Sequence, residues 1–232
     1  MRACAAVLRV AAAIAVLVAV VSQWENSLRD PDYRFVDFFG YFTIQSNLIV
    51  LVALLVGAFT VLRRAVPPRW TVALRAAATT YVVVTGLVFA LLLAGLPSTD
   101  PYTLGWASDI MHRVIPAYVA LDWLVFADRG RQPWRRVFQM LAFPLVWLVV
   151  VLARGADFVP YPFVDVRSIG GTGVAIACVG IGVGVAVVGS LVVAASRIRL
   201  LDPDRPPRSV LDDRAGEPPR GASSSGGQRR GS

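Results

Sequence analysis

The chain has 232 residues, of which 56% are hydrophobic and only 16% are charged, and its mean hydropathy is +0.62. Soluble domains average about 25% charged residues, so this composition excludes an ordinary soluble protein and indicates a membrane protein. The net charge of +8 comes largely from arginines that lie between apolar stretches, so it does not indicate nucleic-acid binding.

Six apolar stretches follow one another along the chain, each near the ~20 residues that cross the hydrocarbon core as a helix. They lie at residues 4–22, 38–62, 75–96, 108–127, 134–153 and 171–195. The stretches are continuously apolar and do not alternate, which excludes a closed β-barrel. We therefore predict an all-α integral membrane protein, with a six-helix transmembrane bundle over residues 1–196.

The first stretch has an alternative interpretation, because Arg2 and Arg9 precede an apolar run as in a secretory signal peptide. The apolar run of about 18 residues is longer than a usual signal-peptide core. Val20 and Ser22 would also make a poor cleavage site. We expect an uncleaved first span.

The placement of arginine predicts the orientation, since all 23 basic residues are arginine. The connections at 63–75 and 128–136 carry net charges of +4 and +3, whereas those at 23–37, 97–107 and 154–170 carry −2, −1 and 0. Positively charged connections remain in the cytoplasm. Both termini are therefore predicted to be cytoplasmic.

The tail, residues 197–232, is rich in Arg, Pro, Ser and Gly, and this composition predicts disorder. The absence of lysine and the abundance of Ala, Val, Arg, Gly and Pro are typical of a GC-rich bacterial genome. We therefore expect a multi-pass protein of a bacterial inner (plasma) membrane. The two cysteines lie far apart and no spacing fits a metal site, so we expect no metal and no cofactor.

Two polar clusters each occupy one face of a predicted helix, at the spacing i, i+3 and i+4. Their members are Thr43, Ser46 and Asn47 in the second stretch and Asp109, His112 and Arg113 in the fourth. Both stretches run from outside to inside, and Thr43 and His112 each lie about 6–8 Å below the outer helix end. We expect these two residues to face each other in a pocket that opens outward.

Each polar residue also has a purely structural interpretation. Serine and threonine in membrane helices usually bond to a backbone carbonyl or to a neighbouring helix. Asp109 and Arg113 at i, i+4 form an ordinary ion pair, and Tyr161 fits an interfacial aromatic belt. His112 is the only histidine, and ionisable groups in a membrane are costly, which favours a functional role. The structural alternative for His112 is a hydrogen bond between two helices.

Asp122 lies near the inner end of the fourth stretch, about 15 Å from His112 along the helix. That distance puts its carboxylate outside a site at His112. We expect Asp122 to cap its helix or to pair with Arg63 or Arg64.

Three segments in this order resemble a known family: Phe42-Thr-Ile-Gln-Ser-Asn47, Met111-His-Arg-Val-Ile-Pro116 followed by Asp122, and Tyr161-Pro-Phe-Val-Asp165. Their order and spacing are similar to those of the androgen-induced and androgen-dependent TFPI-regulating proteins and their bacterial six-span relatives. The resemblance covers roughly residues 35–170. The animal members are integral-membrane hydrolases that cleave fatty acid esters of hydroxy fatty acids with a threonine nucleophile and a histidine.

The resemblance implies that Thr43 is the nucleophile and His112 the base. The residues that follow Thr43, namely Gln45, Ser46 and Asn47, look closer to those of the bacterial relatives than to those of the animal enzymes. This difference affects the expected substrate more than the expected fold. A threonine hydroxyl becomes nucleophilic when a neighbouring base takes its proton. The predicted function is therefore hydrolysis of a membrane lipid or another amphiphilic ester near the outer leaflet.

Further residues are expected to support this chemistry. The supporting residues are Asp109, Asn47, Gln45, Ser46 and Arg113, and those at the pocket mouth are Tyr161, Phe163 and Asp165. A catalytic base normally needs an orienting group, and we expect Asp109 to orient His112. An oxyanion needs hydrogen-bond donors, and we expect the side chain of Asn47 or Gln45 to supply them.

Other classes of function remain as alternatives. A transporter would use His112, Asp109 and Arg113 as a proton or anion relay. The inner halves of the second and fourth stretches are almost wholly apolar apart from Asp122, which disfavours a continuous pathway. A haem protein is disfavoured because one histidine cannot give bis-histidine ligation. A lipid-binding membrane protein without catalysis is the third alternative.

Overall fold

The computed structural model describes residues 2–63, 67–96, 101–126, 128–198 and 200. The tail that is predicted to be disordered lies outside the described residues, except for positions 197, 198 and 200. Helices account for most of the described chain. They confirm the predicted all-α class.

Eight α-helices make up the described fold. Their bounds are Arg2–Ser27 (α1), Phe35–Phe38 (α2), Phe42–Leu62 (α3), Arg69–Val88 (α4), Gly105–Asp109 (α5), Ile115–Val125 (α6), Arg136–Arg154 (α7) and Val166–Ala195 (α8). A π-helical turn, Phe89–Leu93, extends α4, and a second, Ile110–Val114, joins α5 to α6. Short 3-10 turns, Gly155–Asp157 and Pro162–Val164, lie between α7 and α8.

Within the described residues, five helices are long and apolar enough to cross a membrane. They are α1, α3, α4 with its π-helical turn, α7 with the 3-10 turn that follows it, and α8. The fold is therefore that of a helical, multi-pass membrane protein. The remaining predicted span corresponds to residues 105–125, which form one continuous helical segment and carry the charged residues Asp109, Arg113 and Asp122.

Polar contacts between the helices mark two opposite ends of the bundle. At one end, Arg9 of α1 donates hydrogen bonds to Asp122 of α6 and to the carbonyl of Gly57 in α3. At the other end, the N–H of Leu104, just before α5, donates to the side chain of Gln23 in α1. Arg9 and Gln23 are about 21 Å apart along α1. We call these the charged end and the site end.

The beginning of α1 and the end of α8 both lie at the charged end. The connection between α6 and α7 contacts both, since Asp128 accepts hydrogen bonds from Arg9 and Arg129 donates one to the carbonyl of Ala195 at 3.0 Å. The start of α1 and the end of α8 therefore lie on the same side of the bundle.

Several helix boundaries differ from the predicted spans. The second span begins at Phe42 because the residues before it form the separate helix α2. A first helical turn begins at Val166, where Asp165 caps it by accepting a hydrogen bond from the N–H of Arg167. Gly170 then interrupts α8 with a non-helical backbone (φ 70°), so the continuous helix after this kink begins at the predicted residue 171. Hydropathy marks the apolar part of a helix, whereas capping and turn residues set its ends.

Small residues bring α1 and α3 close together. Ala5, Ala12 and Ala19 of α1 are buried, as are Ala53 and Ala58 of α3. Alanine and glycine faces allow membrane helices to approach closely, which increases van der Waals contact between their backbones. The close α1–α3 pair forms one side of the bundle, and the site lies at the start of α3.

The charged end contains a buried network of two arginines and two aspartates. Arg9 Nε donates to Asp122 Oδ1 at 2.8 Å, and an Nη of Arg75 donates to Asp122 Oδ2 at 3.0 Å. Both arginines also donate to Asp128. No side chain of the four is more than 8% exposed. Burial alone would raise the pKa of Asp128, but Arg75 and Arg9 hold it below its ordinary value.

This network corrects the prediction for Asp122. Arg9 and Arg75 occupy its two carboxylate oxygens, in place of the expected helix cap or a pair with Arg63, and Arg64 lies outside the described residues. The arginine chains fit because position 57 is glycine. A Cβ on Gly57 would lie 3.2 Å from Arg75 Cδ and 3.6 Å from Arg9 Cδ.

Candidate functional site

Thr43 and His112 meet at the site end of the bundle. Thr43 Oγ1 lies 3.1 Å from His112 Nε2, and Thr43 is 7% exposed. Thr43 occupies the first turn of α3, and His112 lies in the π-helical turn that precedes α6. The structure thus brings the two residues that were singled out in the sequence within hydrogen-bond distance.

The second ring nitrogen of His112 determines its tautomer. Nδ1 lies 2.9 Å from the backbone carbonyl oxygen of Ser108 and 3.2 Å from the Ser108 hydroxyl. A carbonyl oxygen can only accept, so Nδ1 carries the proton in the neutral ring. Nε2 is then unprotonated and accepts a hydrogen bond from Thr43. This is the arrangement that a general base requires.

Asp109 does not orient His112, contrary to the prediction. Its carboxylate accepts from Arg113 at 2.7 Å, and the two side chains are 53% and 61% exposed. Ser108 takes the orienting role through its backbone. A helical turn brings the backbone carbonyl of residue i−4 close to the side chain of residue i. The position of Ser108, four residues before His112, could therefore have predicted this contact from the sequence.

The π-helical turn around His112 has a local cause. Pro116 lies four residues after His112 and has no N–H to donate to its carbonyl, so a regular α-helical bond is impossible there. The π-helical turn at Ile110–Val114 changes the direction of the side chains relative to a straight α-helix. Glycine at position 86 of α4 accommodates the turn, since a Cβ there would lie 2.9 Å from the His112 carbonyl oxygen.

The ring of Phe89 stacks against the imidazole of His112. The rings of Phe89 and His112 stack with centroids 4.3 Å apart and an interplanar angle of 22°. The guanidinium of Arg113 lies 5.6 Å from the centre of the Phe89 ring. Arg113 therefore contacts the Phe89 ring of the stack and also forms an ion pair with Asp109. The stack restricts rotation of the imidazole.

Tyr161 lies inside the site, in direct contact with the predicted nucleophile. Its hydroxyl is 3.3 Å from Thr43 Oγ1, and it accepts a hydrogen bond from the Thr43 N–H at 3.3 Å. Burial raises the pKa of the Tyr161 phenol, so the hydroxyl keeps its proton at neutral pH. The phenol satisfies a free N–H in the first turn of α3 and has a proton to donate toward Thr43.

Aromatic packing fixes the ring of Tyr161. Phe163 stacks on it with centroids 5.0 Å apart and an interplanar angle of 10°. Tyr41 packs edge-on at 5.8 Å and Trp147 lies at 6.0 Å. Asp165, which was expected at the pocket mouth, caps α8 and accepts a hydrogen bond from the Ser168 hydroxyl.

The polar side chains that follow Thr43 hydrogen-bond to backbone carbonyls. Gln45 donates to the carbonyl of Phe39 at 2.8 Å, and Asn47 donates to the carbonyl of Thr43 at 2.9 Å. Ser46 donates to the same Thr43 carbonyl at 3.1 Å. The oxyanion role predicted for Gln45 and Asn47 does not agree with these directions. All three side chains stabilise the backbone around the nucleophile.

Two cavities meet at Thr43, His112 and Tyr161. The narrow cavity, of about 90 Å³, lies among α4, α7 and α8 and is almost entirely apolar. The wide cavity, of about 600 Å³, lies against the connections of the site end and includes hydroxyl and amide side chains. A molecule that occupies both cavities would cross the Thr43 hydroxyl.

Comparison of the chain with protein-family models, with curated proteins and with solved structures found no match. The resemblance to the TFPI-regulating proteins therefore rests on the three sequence segments alone.

Proposed function

We propose that the protein is an integral-membrane hydrolase of lipophilic carboxylic esters, with Thr43 as nucleophile and His112 as general base. The 3.1 Å contact between Thr43 Oγ1 and His112 Nε2 carries the proposal. A buried hydroxyl beside a neutral imidazole, whose tautomer a third group fixes, is the arrangement that acyl-transfer enzymes use.

The reaction proceeds in two steps through an acyl-enzyme. Thr43 Oγ1 attacks the ester carbonyl carbon while His112 Nε2 takes the hydroxyl proton. The tetrahedral intermediate breaks the bond to the leaving oxygen, which receives that proton from His112, and leaves acyl-Thr43. Water then attacks the acyl group with His112 as base, which releases the acid and restores the Thr43 hydroxyl.

The Tyr161 hydroxyl is the donor that we assign to the oxyanion. It lies 3.3 Å from Thr43 Oγ1, so a carbonyl oxygen on the attacked carbon would come within its reach. Loss of one oxyanion donor costs about 10²–10³-fold in kcat. Tyr161→Phe should lower kcat by this factor with a smaller change in KM, measured by steady-state hydrolysis of a long-chain ester.

Tyr118→Phe is the matched control for this substitution. The Tyr118 hydroxyl has no hydrogen-bond partner within the described residues, and it interacts electrostatically with Arg9, Arg75 and Asp122 of the charged end. Removal of this hydroxyl should leave kcat unchanged. Equal activity of Tyr161→Phe and Tyr118→Phe would exclude Tyr161 as an oxyanion donor.

We also propose six membrane spans, including residues 105–125, with both termini in the cytoplasm. The alternating helix directions and the arginine-rich connections at 63–75 and 128–136 support this orientation. The charged end then faces the cytoplasm, and Thr43 lies near the outer leaflet of a bacterial inner membrane. A lipid ester in that leaflet would present its carbonyl at this depth.

Single-cysteine labelling tests the orientation in a variant with Cys4 and Cys178 replaced by alanine. An impermeant thiol reagent added to intact spheroplasts should label cysteines at positions 30 and 157, which are not buried. Cysteines at positions 70 and 130 should react only after the membrane is opened. Labelling of position 70 or 130 from outside would contradict the proposed topology.

The hydrolase proposal itself is tested with purified protein in detergent and a fluorogenic long-chain ester. We expect turnover that depends on protein concentration. A transporter or a non-catalytic lipid-binding protein gives no turnover in micelles. Absence of turnover, together with solute flux in proteoliposomes that survives Thr43→Ala, would overturn the hydrolase in favour of the transporter.

A further inference from the structure

The narrow cavity has the form and lining of a site for a hydrocarbon chain. Along α8 it is lined from Cys178 to Val185, and along α7 from Leu141 to Leu148. Seven residues of helix correspond to about 10 Å, so the cavity extends from Thr43 toward the middle of the bundle. Leu145 lines it and is 56% exposed at the surface of the bundle, so one wall of the cavity is formed by a surface side chain.

The wide cavity has a different lining. Its polar side chains include Ser27, Thr103 and Ser108, which are uncharged. Among the described residues that line it, the one carboxylate is Asp109, which is paired with Arg113. No lysine or arginine of the described chain lines this cavity. The lining therefore offers no cation to a carboxylate, whereas hydroxyl groups can exchange hydrogen bonds with its polar side chains.

We infer that the substrate is the ester of a long-chain fatty acid with an uncharged polyol, such as a monoacylglycerol. The acyl chain occupies the narrow cavity and the polyol occupies the wide cavity, with the ester carbonyl at Thr43. The inference rests on the proposed hydrolysis. It departs from the hydroxy fatty acid esters that the family resemblance implies, because their leaving group carries a free carboxylate.

Three palmitoyl esters that differ in the charge of the leaving group test the polyol side. The palmitoyl ester of a hydroxy fatty acid is compared with its own methyl ester, which has the same chain without the carboxylate, and with monopalmitoylglycerol. We expect kcat/KM to be about tenfold or more higher for the two neutral esters, because the wide cavity offers no cation to the carboxylate. Faster hydrolysis of the carboxylate would overturn the inference and leave the hydrolase intact. No hydrolysis of any of the three would overturn both.

A pair of glycine substitutions tests the acyl side. Gly182 lines the narrow cavity, and a Cβ there meets nothing within 4 Å, so a leucine side chain can start there and extend into the cavity. Gly182→Leu should lower kcat/KM for a palmitoyl ester by about tenfold or more, since each excluded methylene loses its burial. It should leave the corresponding butyryl ester nearly unchanged.

Gly180→Leu is the control, because Gly180 lies on the same helix and is equally unobstructed but does not line the cavity. It should change neither rate. An equal loss of activity toward both chain lengths in Gly182→Leu, or the same chain-length shift in Gly180→Leu, would show that the narrow cavity does not hold the acyl chain.

Discussion

Replacement of Thr43 by alanine should abolish ester hydrolysis and leave the fold intact. The hydroxyl supplies the atom that bonds to the acyl group, so its loss removes the acyl-enzyme pathway. We expect a loss on the order of 10⁴-fold, and His112→Ala should have a similar effect because a threonine hydroxyl without a base is a weak nucleophile. The two residues act as one unit, so the double variant should be no worse than either single variant.

Two control substitutions separate chemistry from folding in this experiment. Thr43→Ser keeps a hydroxyl and should retain measurable turnover. Thr60 lies in the same helix and its hydroxyl donates to the carbonyl of Gly57, so Thr60→Ala should retain full activity. Hydrolysis by purified Thr43→Ala at more than about a tenth of the wild-type rate would contradict a nucleophilic role, since that loss is far below the expected one.

Removal of the Asp122 charge should be the most destabilising single change at the charged end. Asp122→Asn leaves Arg9 and Arg75 buried with one carboxylate in place of two. Breaking a buried ion pair from one side costs about 3–5 kcal/mol, because the remaining charges are uncompensated. We expect a large fall in the thermal unfolding midpoint of the detergent-purified protein.

Asp109→Asn is the matched control, since Asp109 lies in the same helical segment but pairs with Arg113 at the surface. Exposed ion pairs contribute about 0–1 kcal/mol, so the unfolding midpoint should barely change. The activity should also persist, because Asp109 does not contact His112. Similar unfolding midpoints for Asp122→Asn and Asp109→Asn would contradict a stabilising role of the buried network.

Hydropathy predicted the helical membrane class but not how the charged end is held together. Arg9 was visible only as a charge within the first apolar stretch, residues 4–22. Its partner Asp122 is 113 positions away in the sequence, and a single sequence contains no local pattern that joins them. Such a network depends on which helices pack together, and hydropathy does not report helix adjacency.

Helix depth was sufficient to pair Thr43 with His112, because the rise per residue of a helix fixes depth from sequence position alone. Side-chain direction was harder to predict. The π-helical turn before Pro116 changes the direction of the side chains in this segment, and Ser108, not Asp109, bonds to the imidazole. The position of the Tyr161 hydroxyl depends on a loop between α7 and α8, whose path no periodicity predicts.

Reaction with a fluorophosphonate tests the central claim most directly, because this reagent bonds covalently to activated hydroxyl nucleophiles by displacement of fluoride. Peptide mass spectrometry of the labelled wild-type protein should locate the phosphonyl group on Thr43. The adduct should be absent from Thr43→Ala and strongly reduced in His112→Ala, where the hydroxyl is present but its base is not. An adduct on another residue, or undiminished labelling of Thr43→Ala, would contradict the assignment of Thr43 as the nucleophile.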